Sequence, residues 1–161
     1  MTATAHALIG ASIAVKIANP LIGIPLAIVS HILADMVPHW DFGLGWRTKT
    51  KTKLFLQSSF DVLFGFGLVW LIFSSLADPI YLFVMVIAAQ LPDWAIIPYW
   101  FFNWNFFPFS TTYRFQKMIN HKLAFPWGLA IQFVVFILVL WATVSQSDVN
   151  NLIVSAFNFQ P

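Results

Sequence analysis

The chain has 161 residues, of which 60% are hydrophobic, 18% aromatic and 9% charged, with a formal net charge of +2. A water-soluble domain carries roughly 25% charged residues, so this composition excludes a soluble enzyme and a disordered tail. The small charge excludes nucleic-acid binding driven by phosphate neutralisation. Without cysteine there is no disulfide scaffold, cysteine zinc site or thiol nucleophile. What remains is an all-α integral membrane protein, a helical bundle forming one transmembrane domain over 1–161.

Five apolar segments of about spanning length follow along the chain, at about 2–18, 20–37, 54–77, 79–97 and 123–144. The first lacks a basic leader region, so it is expected to be structure rather than a signal peptide. Asn19-Pro20 and Asp78-Pro79 each stop one helix and start the next. The first four segments therefore form two antiparallel hairpins. Residues 99–109 mix aromatics with Asn and suit the headgroup layer rather than a span. The tail over 145–161, with Val149, Leu152, Ile153, Ala156 and Phe157, is expected to be a short interfacial helix.

Two returning hairpins place the N-terminus, the 42–53 connection and the 98–122 connection on one membrane side. Arg47, Lys49, Lys51, Lys53, Arg114, Lys117 and Lys122 all lie there, and Lys16 falls near the other side. The positive-inside rule makes the basic side cytoplasmic, in a bacterial inner or archaeal plasma membrane. The two hairpins also resemble each other. His6-x-x-x-Gly10 matches Asp61-x-x-x-Gly65, and Val37-Pro38-His39-Trp40 matches Leu91-Pro92-Asp93-Trp94 at nearly the same offset. An internal parallel repeat would pair His6 with Asp61 and His39 with Asp93 about one axis along the membrane normal.

Ionisable groups in membrane segments are costly and point to function. His6, His31, Asp35, His39, Asp41, Asp61, Asp93 and His121 all map to the basic side of the topology. His31 and Asp35, four apart, share a helix face. Pro38 ends or kinks that helix and lets His39 turn back towards it. Imidazole and carboxylate at this spacing suit a divalent, zinc-like metal, one to three ions. Asp35, Asp61 and Asp93 are the candidate bridging carboxylates. Such metals turn water into a nucleophile near neutral pH. Asp93, after Pro92 at a helix end, is the candidate catalytic ligand or base. His121 is the candidate ligand or general acid, and Asp41 is a ligand, a cap or a supporting group.

The segments His6-Ala7-Leu8-Ile9-Gly10, His31-Ile32-Leu33-Ala34-Asp35-Met36 and Leu91-Pro92-Asp93 together resemble the bacterial membrane-bound metal-dependent hydrolase family. That family is itself similar in motif to the zinc-dependent phospholipase C and P1 nuclease group. The resemblance implies zinc held by His6, His31, Asp35 and Asp93, with His121 as the later histidine, and phosphoester hydrolysis. The chain differs in placing Leu-Pro-Asp after the His-x-x-x-Asp helix, and in having Phe125 where the zinc phospholipases follow the late histidine with Glu.

The expected function is therefore metal-dependent hydrolysis of a phosphoester, with a lipid as the candidate substrate, at the cytoplasmic membrane face. The basic run Arg47 to Lys53 is either an anion-attracting rim or only the topology signal. Two other readings stand beside hydrolysis. One is a non-catalytic membrane scaffold stapled by metal. The other is an ion or proton relay, which the nearly apolar middles of the third and fifth segments disfavour. Membrane lipids are the expected surroundings, and no nucleic-acid site is evident.

Overall fold

The computed structural model describes residues 1–143, so the tail segment at 145–161 lies outside the described residues. The described chain is helical: α1 (Ala3–Lys16), α2 (Pro20–Met36), a 3-10 turn (Trp46–Thr48), α3 (Lys51–Phe73), α4 (Pro79–Trp94), α5 (Ile97–Phe102), α6 (Phe109–Ile119) and α7 (Trp127–Thr143).

The punctuation read from the sequence acts as expected. The Asn19 side chain accepts from the Leu21 N–H at 3.0 Å and caps α2, with Pro20 in its first turn. Asp78 does the same for α4 through the Tyr81 N–H at 2.8 Å. Both use a side-chain oxygen to satisfy an amide that the helix start leaves free. Helix α3 begins before the apolar run does. Thr50 accepts from the Lys53 N–H at 3.2 Å and draws the polar Lys51–Lys53 turn into the helix.

Helix α1 occupies the centre. It packs against α3 and α4, and also against α2 and α7. Every residue from Ala5 to Ala14 is buried. The sequence over this stretch is mostly small or slender, so neighbouring backbones come close. A methyl group added at Gly10 would fall 2.8 Å from both Ala89 Cβ and the Met85 carbonyl oxygen of α4. One added at Gly65 of α3 would fall 2.9 Å from Thr4 Cα. At about 1.5 Å per residue α1 is only about 21 Å long.

Around this centre the outer faces are apolar. Leu21 and Leu33 of α2, Leu63 and Leu71 of α3, Ile80 of α4 and Trp141 of α7 are all exposed. Two stretches, Lys51–Phe73 and Pro79–Phe102, are long and apolar enough to cross a membrane. The other apolar helices, Ala3–Lys16, Pro20–Met36 and Trp127–Ala142, are shorter.

Two features differ from the sequence expectation. The 98–122 connection holds α5 and the amphipathic α6, which was not foreseen. The helices also do not pair about one axis as the repeat requires. Helix α1 packs closely on α4, while α2 and α3, which a two-fold would pair equivalently, make no comparable contact among the described residues. The observed neighbours of His6 are on α2 and α4, and Asp61 meets the start of α1 instead.

The glycines supply a paired test. Gly10→Ala should destabilise the bundle by about 1–3 kcal/mol through overpacking against α4. Gly67→Ala, where an added methyl group meets nothing within 4 Å beyond its own stretch of helix, should be neutral or raise stability by up to about 1 kcal/mol through helix propensity. Thermal unfolding of both variants in the same detergent reads the contrast, and equal shifts would contradict the α1–α4 contact.

Candidate metal centre

Four elements converge on one carboxylate. Asp35, near the end of α2, is about 1% exposed. His6 from the second turn of α1 places Nε2 3.2 Å from Asp35 Oδ1. His31, one turn before Asp35, places Nε2 3.5 Å from Asp35 Oδ2 and 3.5 Å from Asp93 Oδ1 at the end of α4. His39, just beyond Pro38, places Nε2 3.7 Å from Asp35 Oδ1. The rings of His6 and His31 stack, with centroids 3.8 Å apart. One donor atom from each of His6, His31 and Asp93 fits within 4.8 Å of the others, the geometry of a possible metal site.

The tautomers follow from the partners. His31 Nδ1 lies 2.7 Å from the Ala89 carbonyl oxygen, and His39 Nδ1 lies 2.8 Å from that of Val37. A carbonyl only accepts, so each Nδ1 carries the hydrogen and donates it. In the neutral ring Nε2 is then a bare lone pair directed at the carboxylates. Metal-ligating histidines are oriented in this way, with the second nitrogen donating to a carbonyl. The Nε2 atoms of His6, His31 and His39 are buried and lack a hydrogen-bond partner. Leaving such atoms unpaired costs about 1–3 kcal/mol each.

The separations discriminate further. An N–H···O bond has its heavy atoms about 2.7–3.2 Å apart. Two ligand atoms each about 2.1 Å from one tetrahedral ion lie about 3.4 Å apart. The 3.2 Å between His6 and Asp35 suits either, and the 3.5 Å from His31 to both Asp35 and Asp93 lies nearer the second value. The Met1 ammonium also contacts Asp35 Oδ1, and Asn120 Nδ2 donates to Asp35 Oδ2 at 3.2 Å.

No family model, curated protein or solved structure matches the chain. The assignment of the centre therefore stands on its geometry.

The remaining sequence candidates take different places. Asp61 lies on the start of α1, where its carboxylate accepts from the N–H of Ala3 at 2.7 Å, the N–H of Thr4 at 3.1 Å and Thr4 Oγ1 at 2.7 Å. It caps a helix from outside rather than joining the histidines. Asp41 Oδ2 lies 3.5 Å from His39 Nε2, and its Oδ1 accepts from Lys122 Nζ at 2.9 Å. Burial works against ionising Asp41. The neighbouring His39 ring and the Lys122 charge outweigh burial and hold its carboxyl below the usual carboxylate range. The His121 ring is exposed and stays outside the group. Its main chain contributes instead, accepting from the His39 N–H at 3.0 Å and donating to the Asp35 carbonyl at 3.3 Å.

The centre opens on one side. Asp93 is 34% exposed and lines a cavity of about 820 Å³, together with Asp41 and Asp61. Its walls include Trp46, Trp100 and Tyr113, and Arg47, Lys117 and Lys122 bring positive charge. Trp46 stacks on Trp100 at 5.5 Å, and Arg47 lies 5.2 Å over the Trp46 ring. Of the basic run, Lys49 donates to the Phe42 carbonyl and Lys51 to that of Phe101, at 2.7 and 2.9 Å. These two tie loops together, while Arg47 lines the cavity.

Sequence reading missed Asn120 and Gln132. Gln132 Oε1 accepts from the Thr2 N–H at 2.8 Å, and its Nε2 donates to the Trp40 carbonyl at 2.5 Å. A lone glutamine in an otherwise apolar helix was the available signal for the second.

The two aspartates should separate by readout. Asp61→Ala should lower thermal stability by about 0.5–2 kcal/mol through loss of helix capping and leave metal content unchanged. Asp35→Ala should remove most of the metal. Elemental analysis of the two purified variants checks this, and metal loss on removing Asp61 would place that residue in the centre.

Proposed function

We propose that this chain is a membrane-embedded, divalent-metal-dependent hydrolase of phosphoesters, with a phospholipid headgroup as its substrate. The observation that carries the reading is the set of buried, unpartnered imidazole nitrogens directed at Asp35 beside an open, partly cationic cleft. His6, His31, Asp35 and Asp93 hold the ion. A mixed imidazole and carboxylate set suits zinc. An ion there supplies positive charge for the phosphoryl oxygens and activates water. Arg47, Lys117 and Lys122 attract the anionic headgroup, and the aromatic wall accommodates its glycerol and upper acyl portion. Asp93, the ligand that reaches the cleft, orients the attacking water and accepts its proton. The resemblance to membrane-bound metal-dependent hydrolases supports the same reading.

In this proposal α1, α2, α3, α4 and α7 cross the bilayer, and the centre faces the cytoplasm. The apolar outer faces support insertion. The distribution of basic residues supports the orientation. α5 and α6, with their aromatic loop, lie in the headgroup layer.

Asp93→Asn keeps the size of the side chain and removes its charge. Turnover of phospholipid vesicles and of model phosphodiesters and monoesters should fall by a factor on the order of 100 or more, with the unfolding temperature little changed. A metal-loaded wild type that hydrolyses none of these would favour the ion as a staple of helix ends. For topology, the chain has no cysteine, so Thr52→Cys provides a single label. It should react with an impermeant maleimide only after cells are opened, and labelling of intact cells would reverse the orientation.

A further inference from the structure

Helices α3 and α4 both pack closely on α1 and only sparsely on each other. The wedge left between them belongs to the cavity beside Asp93. Its α3 wall is Phe55, Ser58, Ser59 and Val62, one helical face by their spacing. Its other wall is Ile96 and Ile97, where α4 passes into α5. Ring contacts bound the wedge at both ends. Phe55 meets Phe101 of α5 edge-on at 6.4 Å, beside the Lys51 hydrogen bond to the Phe101 carbonyl. Phe66 meets Phe83 of α4 at 5.5 Å. Phe55 and Phe66 are about 16 Å apart along α3. Between them Ser58, Leu63 and Ile97 line the cavity and are also exposed. The cavity therefore opens sideways, onto the apolar outer surface.

We propose that this opening is a side entrance for an anionic phospholipid, which slides in from the bilayer between α3 and α5 and leaves an acyl chain lying in the opening. This rests on the reading of the chain as a membrane-embedded hydrolase, and it narrows the substrate to phosphoesters that carry a membrane chain.

The cavity wall is divided by polarity. Its cations come from the loop before α3 and from α6 and its end, as Arg47, Lys117 and Lys122. The wedge between α3 and α5 is apolar apart from Ser58 and Ser59. An anionic head on an apolar tail matches that division. Size agrees with it. Small-molecule sites run from about 300 to 1,000 Å³, and the 820 Å³ here has room for more than a phosphate and a glycerol. Direction agrees as well. The opening lies along Lys51–Phe73, a stretch long and apolar enough to cross a membrane. With that helix in a bilayer, hydrocarbon rather than water meets the opening, and an acyl chain can stay in lipid while its headgroup reaches Asp93.

The test uses the full chain in vesicles of equal parts phosphatidylglycerol and phosphatidylcholine, with photoreactive benzoylphenylalanine in place of Ser59. Phe60, exposed on α3 at the same depth and outside the cavity wall, is the control position. Irradiation should make position 59 capture the anionic lipid over the zwitterionic one by about five-fold, the gain from one cation beside an anionic headgroup. Position 60 should capture both in their vesicle ratio. Ser59→Trp fills the opening, with a penalty like that of overpacking a core. Turnover of vesicle phosphatidylglycerol should then fall about ten-fold or more relative to turnover of a short, soluble model phosphodiester. Ser58→Trp stands in if that variant does not fold. Capture at position 59 that matches position 60, or equal loss of both activities in a folded variant, would overturn the side entrance and leave the hydrolase reading. Enriched capture by a protein that hydrolyses neither substrate would support the entrance and overturn the hydrolase reading.

Discussion

An ionised carboxylate at about 1% exposure is the constraint around which the rest of the molecule is arranged. Burying such a charge without compensation costs several kcal/mol even after the surroundings relax. Asp35 therefore needs positive charge or donors from elsewhere in the chain. It draws His6 from α1, His31 from its own helix, His39 from the loop beyond Pro38 and Asn120 from the end of α6. Each contact fixes the end of a different element. Helix ends that would otherwise be free to splay are thereby held at one point.

The same logic explains the small residues of α1. To deliver His6 beside His31 and Asp93, α1 must lie against α4 at close range. Gly10 permits this because a side chain there would meet the Met85 carbonyl oxygen. Asp61 completes the placement by receiving the amides at the start of α1 from the side of α3. The carboxylate that sequence reading assigned to metal thus sets the position of the helix carrying His6.

Helix boundaries and the convergence of polar groups were legible because they follow from local rules. Asn19-Pro20 and Asp78-Pro79 mark caps, and four-residue spacing puts His31 and Asp35 on one face. Alternating the direction of successive segments then collects the histidines and aspartates at one end. Lateral arrangement was not legible. No local pattern tells whether α1 lies nearer α3, α4 or both, so the two-fold pairing of His6 with Asp61 was reasonable from motifs and is not what packing produces. The turn of the chain around His121 was hidden for a similar reason. It is the residue's amide and carbonyl, groups that every residue has, that hold Asp35 and His39. Helix α6 escaped notice because its buried face uses Ser110 and Gln116 rather than an apolar stripe.

Gln132 has a consequence for biogenesis. Its amide is the polar link from α7 to both the Thr2 backbone and the Trp40 carbonyl, and Trp40 follows His39 directly. A glycine at position 128, one turn earlier, lets the same helix approach the Trp40 backbone. Ribosomes make the chain from its N-terminus, so α1 and the His39 loop emerge long before the helix that clasps them. The centre is thus closed by the last described helix to be synthesised. A nascent chain stalled before it would hold its charged groups with their final support missing, in a form exposed to quality-control proteases.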